Sequence, residues 1–199
     1  MTEEITFWDP WVYMRTHRFG RRPLIIGEAP SPQAPTLSWF ADAKSTKNLA
    51  AVIFGAAAET DMLTSCFEMR NVFDVHPGRS KDGFSEFDSD RAAITLQRNS
   101  DSGLFDDRVT FFLGLRVAAG LCRTESYEPA LSEDSRFVAN HGWIDWLPVE
   151  GSTNLFGLYL FVPHPQSYDL RYKPKDLVKL SALFRAALLL PPLNFQFRF

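Results

Sequence analysis

Residues 21–31 read Arg21-Arg22-Pro23-Leu24-Ile25-Ile26-Gly27-Glu28-Ala29-Pro30-Ser31, and this stretch decides the fold. Leu24, Ile25 and Ile26 make a short apolar strand that runs straight into Gly27-Glu28-Ala29-Pro30-Ser31. Such a turn puts a carboxylate and several backbone N–H groups at the carboxyl end of a strand. In open α/β sheets that edge is where ligands bind. Glu28 is therefore the first candidate for chemistry.

Further strands and helices follow from the pattern of apolar residues. Helical spacing of Leu49, Ala50, Ile53 and Phe54 predicts a helix over 46–55. A second, short helix is expected over 59–66, then a strand over 67–73. Residues 76–90 are rich in Gly, Ser and Asp and read as a long surface loop, of the kind used as active-site lids. A helix over 90–98 leads to a second acidic loop, 99–107. Residues 108–113 are a clear strand, Gly114 makes a turn, and 115–122 is helical. Residues 125–141 carry little pattern. Two strands, 143–149 and 155–162, flank the turn Glu150-Gly151-Ser152-Thr153. Pro174 is well placed to open a helix running to about residue 190, with Leu177, Leu180, Phe184 and Leu188 as a core stripe. Pro191 and Pro192 stop it, and the Phe-rich tail 194–199 is expected as an edge strand. The βα-like units point to a doubly wound, mostly parallel sheet in one domain spanning 1–199, with loop insertions around 76–90 and 99–107.

Composition narrows the class. With 45% hydrophobic residues, 18 Phe and 5 Trp in 199 residues, the chain is equipped for a packed core. A net charge of −3 argues against a generally basic nucleic-acid coat and leaves room for a local basic groove. The two cysteines, Cys66 and Cys122, form no Cys-x-x-Cys pair, so no thiolate metal site is expected and no cofactor is implied. Two free thiols suit a reducing cytoplasm, the expected intracellular location. The start MTEEITFWDP lacks a signal-peptide pattern, and no apolar run approaches the roughly 18 residues of a membrane span.

Polar residues at three strand ends form a candidate constellation: Glu28, then Asn71 and Asp74, then His164 within Pro163-His164-Pro165. A carboxylate can position water or oppose a cationic transition state. An amide offers fixed donors and an acceptor for a heterocycle's edge. An imidazole can donate to a developing oxyanion. Each residue type also has an architectural role: Glu28 capping a helix, Asn71 satisfying nearby backbone, His164 fixing a turn. His76 reads as structural, and His17 and His141 sit in no motif.

In order along the chain, LIIGEAPS, MRNVFD, RVTFFLGLRVAAGL and LYLFVPHPQSYDLRY resemble the uracil-DNA glycosylase superfamily. The resemblance covers 21–190 and rests on the four segments in sequence rather than on any one of them. It implies a small three-layer α/β/α fold around a central, mostly parallel four-stranded sheet. It also implies hydrolysis of the N-glycosidic bond of uracil or a deaminated or modified pyrimidine in DNA, by a monomer. Glu28 would activate water, Asn71 would read the flipped base, and His164 would donate to the departing base. Gly27, Ala29, Pro30 and Ser31 would shape the pocket floor. Gln166, Ser167, Tyr168, Leu170, Arg171 and Lys173 would form the DNA-binding loop, with Tyr168 or Leu170 as its wedge.

The departures from the family pattern are informative. Ala29 stands where the best-known branch has a catalytic Asp, leaving Glu28 to act. Two cysteines cannot supply the four-Cys cluster of related branches. Ser31 replaces the usual Gly or Tyr and leaves room beside the 5-position of a pyrimidine. His-Pro-Gln stands in place of His-Pro-Ser. Basic residues in two groups, Arg15, Arg18, Arg21 and Arg22, then Arg171, Lys173, Lys175 and Lys179, are expected to hold phosphates; as ordinary solvated charges they would need no ligand. Two other readings stay open: a noncatalytic DNA- or protein-binding member of the same fold, and a hydrolase or transferase of free nucleosides or nucleotides.

Overall fold

The computed structural model describes residues 14, 16–30, 44–75, 88–114, 116, 117, 120, 145–150, 156–168, 174–191 and 193. In chain order the main elements are β1 (Leu24–Gly27), α1 (Lys44–Phe54), α2 (Asp61–Cys66), β2 (Glu68–Asn71), α3 (Ser89–Asp101), β3 (Val109–Leu113), β4 (Asp145–Glu150), β5 (Phe156–Val162) and α4 (Pro174–Ala187). They build one sheet of order β2-β1-β3-β5-β4.

The first four strands in that order pair in parallel; β1 and β3 are buried on both faces, as inner strands of such a sheet must be, while β2 at the edge reads Glu-Met-Arg-Asn with only Met69 buried. The expected four-stranded sheet needs one correction, because β4 adds a fifth strand antiparallel to β5, with Trp146 opposite Leu160. The reason is chain length. The short connection 151–155 can return the chain only as a hairpin, since a parallel crossover needs about a dozen residues or more.

Alternation along the strands sends side chains into two cores. Ile25, Phe111 and Leu160 face α1 and α4 through Leu49, Ile53, Leu177, Leu180 and Phe184. Leu24, Ile26, Phe112 and Phe161 face α3 through Ala92 and Leu96. The result is helix, sheet and helix in three layers. Phe111 stacks on Phe184 with ring centroids 4.2 Å apart, and Phe67 meets both edge-on.

Local chemistry sets the helix ends. Gly55, at φ +109°, turns the chain out of α1 while its N–H donates to the Ala51 carbonyl at 2.9 Å. Asp88 caps α3 by accepting from the N–H groups of Asp90 and Arg91, both at 3.0 Å. Arg185, near the end of α4, donates to the Ile53 carbonyl at 2.9 Å and so ties the carboxyl ends of α1 and α4 together.

The acidic segment 99–107 is not the surface loop expected from its charges. Helix α3 runs on to Asp101, and Leu104, Phe105 and Asp106 in the turn beyond it are buried. Phe105 packs edge-on against Phe112 and Tyr159. The expected loop 76–87, the segment 125–141 and the tail 194–199 lie outside the described residues.

The strand order fixes where a site belongs. From β1 the chain moves outward to β2, then returns to β3 on the opposite side of β1. The carboxyl ends of β1 and β3 therefore flank the topological switch point, where open α/β sheets form their ligand crevice.

Candidate active site

Glu28 is the first residue past β1 and stands at that crevice. The turn it occupies stays tied to β2: the N–H of Val72 donates to the Gly27 carbonyl at 2.9 Å, and the N–H of Phe73 to the Glu28 carbonyl at 3.0 Å. Ala29 packs against the α3-side core and Pro30 is buried, so the floor of the turn is apolar. The Glu28 side chain, about one-fifth exposed, meets Arg116 at 3.3 Å between Oε1 and Nη1.

His164 comes from the other side, two residues past β5. Its Nδ1 accepts the N–H of Gln166 at 3.3 Å, which assigns the ring proton to Nε2. The turn carrying it is held from beneath. The Asn48 side chain of α1 donates to the Pro165 carbonyl at 2.9 Å, and the Tyr168 hydroxyl donates to the Pro163 carbonyl at 3.0 Å. Gly114, at φ +87°, donates its N–H to the Val162 carbonyl at 2.8 Å and passes directly against the histidine. A Cβ there would lie 3.2 Å from the His164 Cβ.

Burial pushes the His164 imidazole below its ordinary value; the Glu28 charge pulls it back up, and the Arg116 charge pushes it further down. Glu28, Arg116 and His164 thus share one electrostatic environment. A carboxylate and an uncharged imidazole lie within electrostatic reach of each other at the carboxyl end of the sheet, a pairing suited to stabilising opposite charges on two halves of a breaking bond.

Asn71 sits one strand further out, paired in register with Gly27. It lines a groove of about 580 Å³ along the outer edge of β2, together with Arg22, Thr64, Arg70, Asp74 and Asn99. Neither Glu28 nor His164 lines that groove. The structure therefore joins Glu28 and His164 through Arg116, and places Asn71 at the same end of the sheet beside them.

Other sequence expectations are corrected. Tyr168 is fully buried, its ring in the core beneath the histidine turn, so it is not a surface wedge. Arg21 and Arg22 precede β1 and lie at the end of the sheet away from Glu28, where they support backbone: Arg21 donates to the Gly103 carbonyl at 2.6 Å, Arg22 to that of Thr64 at 3.3 Å. Gln166 is exposed beside His164, and Ser167 follows in the same short 3₁₀ turn. Ser31, Leu170, Arg171 and Lys173 lie outside the described residues, as does Arg15.

Arg116 is the residue that sequence reasoning missed. It sits in the segment LGLRVAAGL, read as purely structural, and its only signal was a cation two residues after the glycine that ends β3. Among the described residues no group of three or more His, Cys, Asp or Glu side chains could hold a metal ion, and no helix is long and apolar enough to cross a membrane. No family model matches the chain, and neither the curated proteins nor the solved structures contain a match.

Proposed function

We propose that the protein hydrolyses the N-glycosidic bond of uracil, or of a deaminated or modified pyrimidine, in DNA. The observation that carries this reading is the placement of Glu28 after β1 and His164 after β5 at the carboxyl end of one sheet, within electrostatic reach of each other. The bond breaks through an oxocarbenium-like sugar, so positive charge grows on deoxyribose and negative charge on the base. Glu28 opposes the first and orients water; His164 Nε2–H donates to the second. One such donor is typically worth about 3–4 kcal/mol of barrier. Asn71 reads the base edge in this scheme, and Gln166 contacts the strand. The base must leave the stack at a cost of a few kcal/mol, least for a damaged or mismatched one.

The test is excision from oligonucleotides carrying uracil, 5-substituted uracils, hypoxanthine or xanthine, scored as alkali-labile strand breaks. Breaks at one of these bases with wild type, and none with Glu28→Gln, support the reading. Folded wild-type protein that leaves every oligonucleotide intact overturns it, and specific binding without breaks assigns a binding module.

A second reading, hydrolysis of free nucleosides or nucleotides, gains from one observation: burial takes Tyr168 out of the wedge role expected of the DNA-binding loop. Turnover of free deoxyuridine exceeding that of the oligonucleotide would select it.

The pH profile follows from His164. Its imidazole lies below the usual 6.5, so the neutral ring persists through neutrality. Protonating Nδ1 would also break the bond from Gln166. The acid limb of excision is expected to have its midpoint below 6.5. An acid limb centred at or above 6.5, measured on kcat/KM, would contradict this.

A further inference from the structure

Arg116 plays no part in the bond-breaking scheme above, yet it touches one of the two groups that do and acts on the other. The sharp turn at Gly114 carries the chain past His164 and into the helical residues 116 and 117, from which Arg116 reaches back to Glu28 over 88 positions of sequence. Its contact spans the crevice between the ends of β1 and β3.

We propose that Arg116 is a positioning residue of this site: by holding the Glu28 carboxylate at the carboxyl end of β1 it keeps that group from pairing with the His164 ring. The inference rests on the reading of Glu28 and His164 as the chemical pair.

A carboxylate within electrostatic reach of an imidazole has an alternative to catalysis. It can draw a proton onto the ring, form a carboxylate–imidazolium pair and close the space a substrate needs. Two features of the structure oppose that collapse. The backbone N–H of Gln166 points at Nδ1, so a proton there would face another N–H. The guanidinium of Arg116 occupies Glu28 and adds positive charge that the ring would have to share. Among the described residues, charged groups acting on His164 include Glu28, from the turn after β1, and Arg116, from the turn after β3. Helix α1, packed against the same histidine turn, presents the neutral amide of Asn48 to it. The Glu28–Arg116 contact is partly exposed, with the Arg116 side chain 37% accessible, so it adds little to folding. A merely structural pair would leave the turnover number almost unchanged when broken.

The experiment is an NMR titration of the His164 ring in wild type, Arg116→Gln, Arg116→Lys and Glu28→Gln, each checked for native far-UV circular dichroism. The His164 midpoint is expected to rise in Arg116→Gln, to stay near wild type in Arg116→Lys, and to fall in Glu28→Gln. An unchanged or lowered midpoint in Arg116→Gln overturns the proposal. This readout needs no substrate, so it stands even if no base is excised, and the two failures are distinguishable. With an excised base in hand, Arg116→Gln is expected to lower kcat about 10- to 100-fold, the scale of a misplaced catalytic group, with KM nearly unchanged. Arg116→Lys recovers most of that loss. A raised KM at unchanged kcat would make Arg116 a substrate contact and overturn the positioning role.

Discussion

Glu28→Gln is expected to reduce excision of the best substrate by about 10³-fold, the middle of the range for a positioned acid–base group. The substitution keeps the size and shape of the side chain. It removes the negative charge that opposes the oxocarbenium-like sugar, and it replaces one acceptor oxygen with a donor that cannot orient water the same way. Stability should barely respond. The pair with Arg116 is 3.3 Å long, with Arg116 more than one-third exposed, and exposed pairs contribute about 0–1 kcal/mol. Single-turnover excision and urea unfolding on the same preparations separate the two effects. A Glu28→Gln protein that excises within about threefold of wild type would remove Glu28 from the mechanism, since no positioned group of this kind contributes so little.

Much of the frame that holds Glu28 was legible in the sequence. Leu24–Ile26 is continuously apolar and Val109–Leu113 is apolar but for Thr110, as strands covered by helices on both faces tend to be. The turn residue Gly114 and the helix-opening Pro174 carry their meaning locally, whereas Gly55, expected as the last residue of a helix, turns the chain out of it. What local pattern does not carry is the partner. Asp106 and Asp107 read as solvated charges, yet Asp107 accepts the N–H of Gly20 at 2.9 Å, 87 positions away, and draws that turn against the sheet. Tyr168, between Ser167 and Asp169, reads as a surface aromatic; its ring is buried because its hydroxyl finds the Pro163 carbonyl only five positions back while the ring joins the α1–α4 core. Arg116 is the sharpest case. Helical pattern places it on a helix, but only the strand order, with β3 beside β1, brings it to Glu28.

The same strand order creates the largest expected effect on stability, at the opposite end of the sheet. Glu68 begins β2 and Arg108 directly precedes β3, so the two lie on either side of β1. Their side chains meet at 2.6 Å between Oε2 and Nη1, and the Arg108 side chain is 3% exposed. Arg70 holds the other Glu68 oxygen at 2.8 Å. Burial by itself would raise the Glu68 carboxyl, but the hydrogen bond and charge of Arg108, then those of Arg70, outweigh it and hold the group below its usual range. Glu68→Ala leaves the Arg108 guanidinium buried without its counter-charge, in the field of Arg21 and Arg70. The expected loss is about 2–3 kcal/mol in urea unfolding, below the scale for a fully buried pair because the Glu68 side chain is 23% exposed. Because Nε of Arg108 is buried without a partner among the described residues, the pair is itself incompletely satisfied. Arg108→Met added to Glu68→Ala should therefore return much of the lost stability. The pH dependence has a definite sign. The Glu68 contribution is complete above its unfolded value near 4.5 and disappears as pH falls through the depressed folded value, so the wild type should lose stability over that interval while Glu68→Ala lacks this component. A Glu68→Ala protein within about 1 kcal/mol of wild type at neutral pH would mean that water reaches Arg108 and that β1 is not bridged by a buried charge pair.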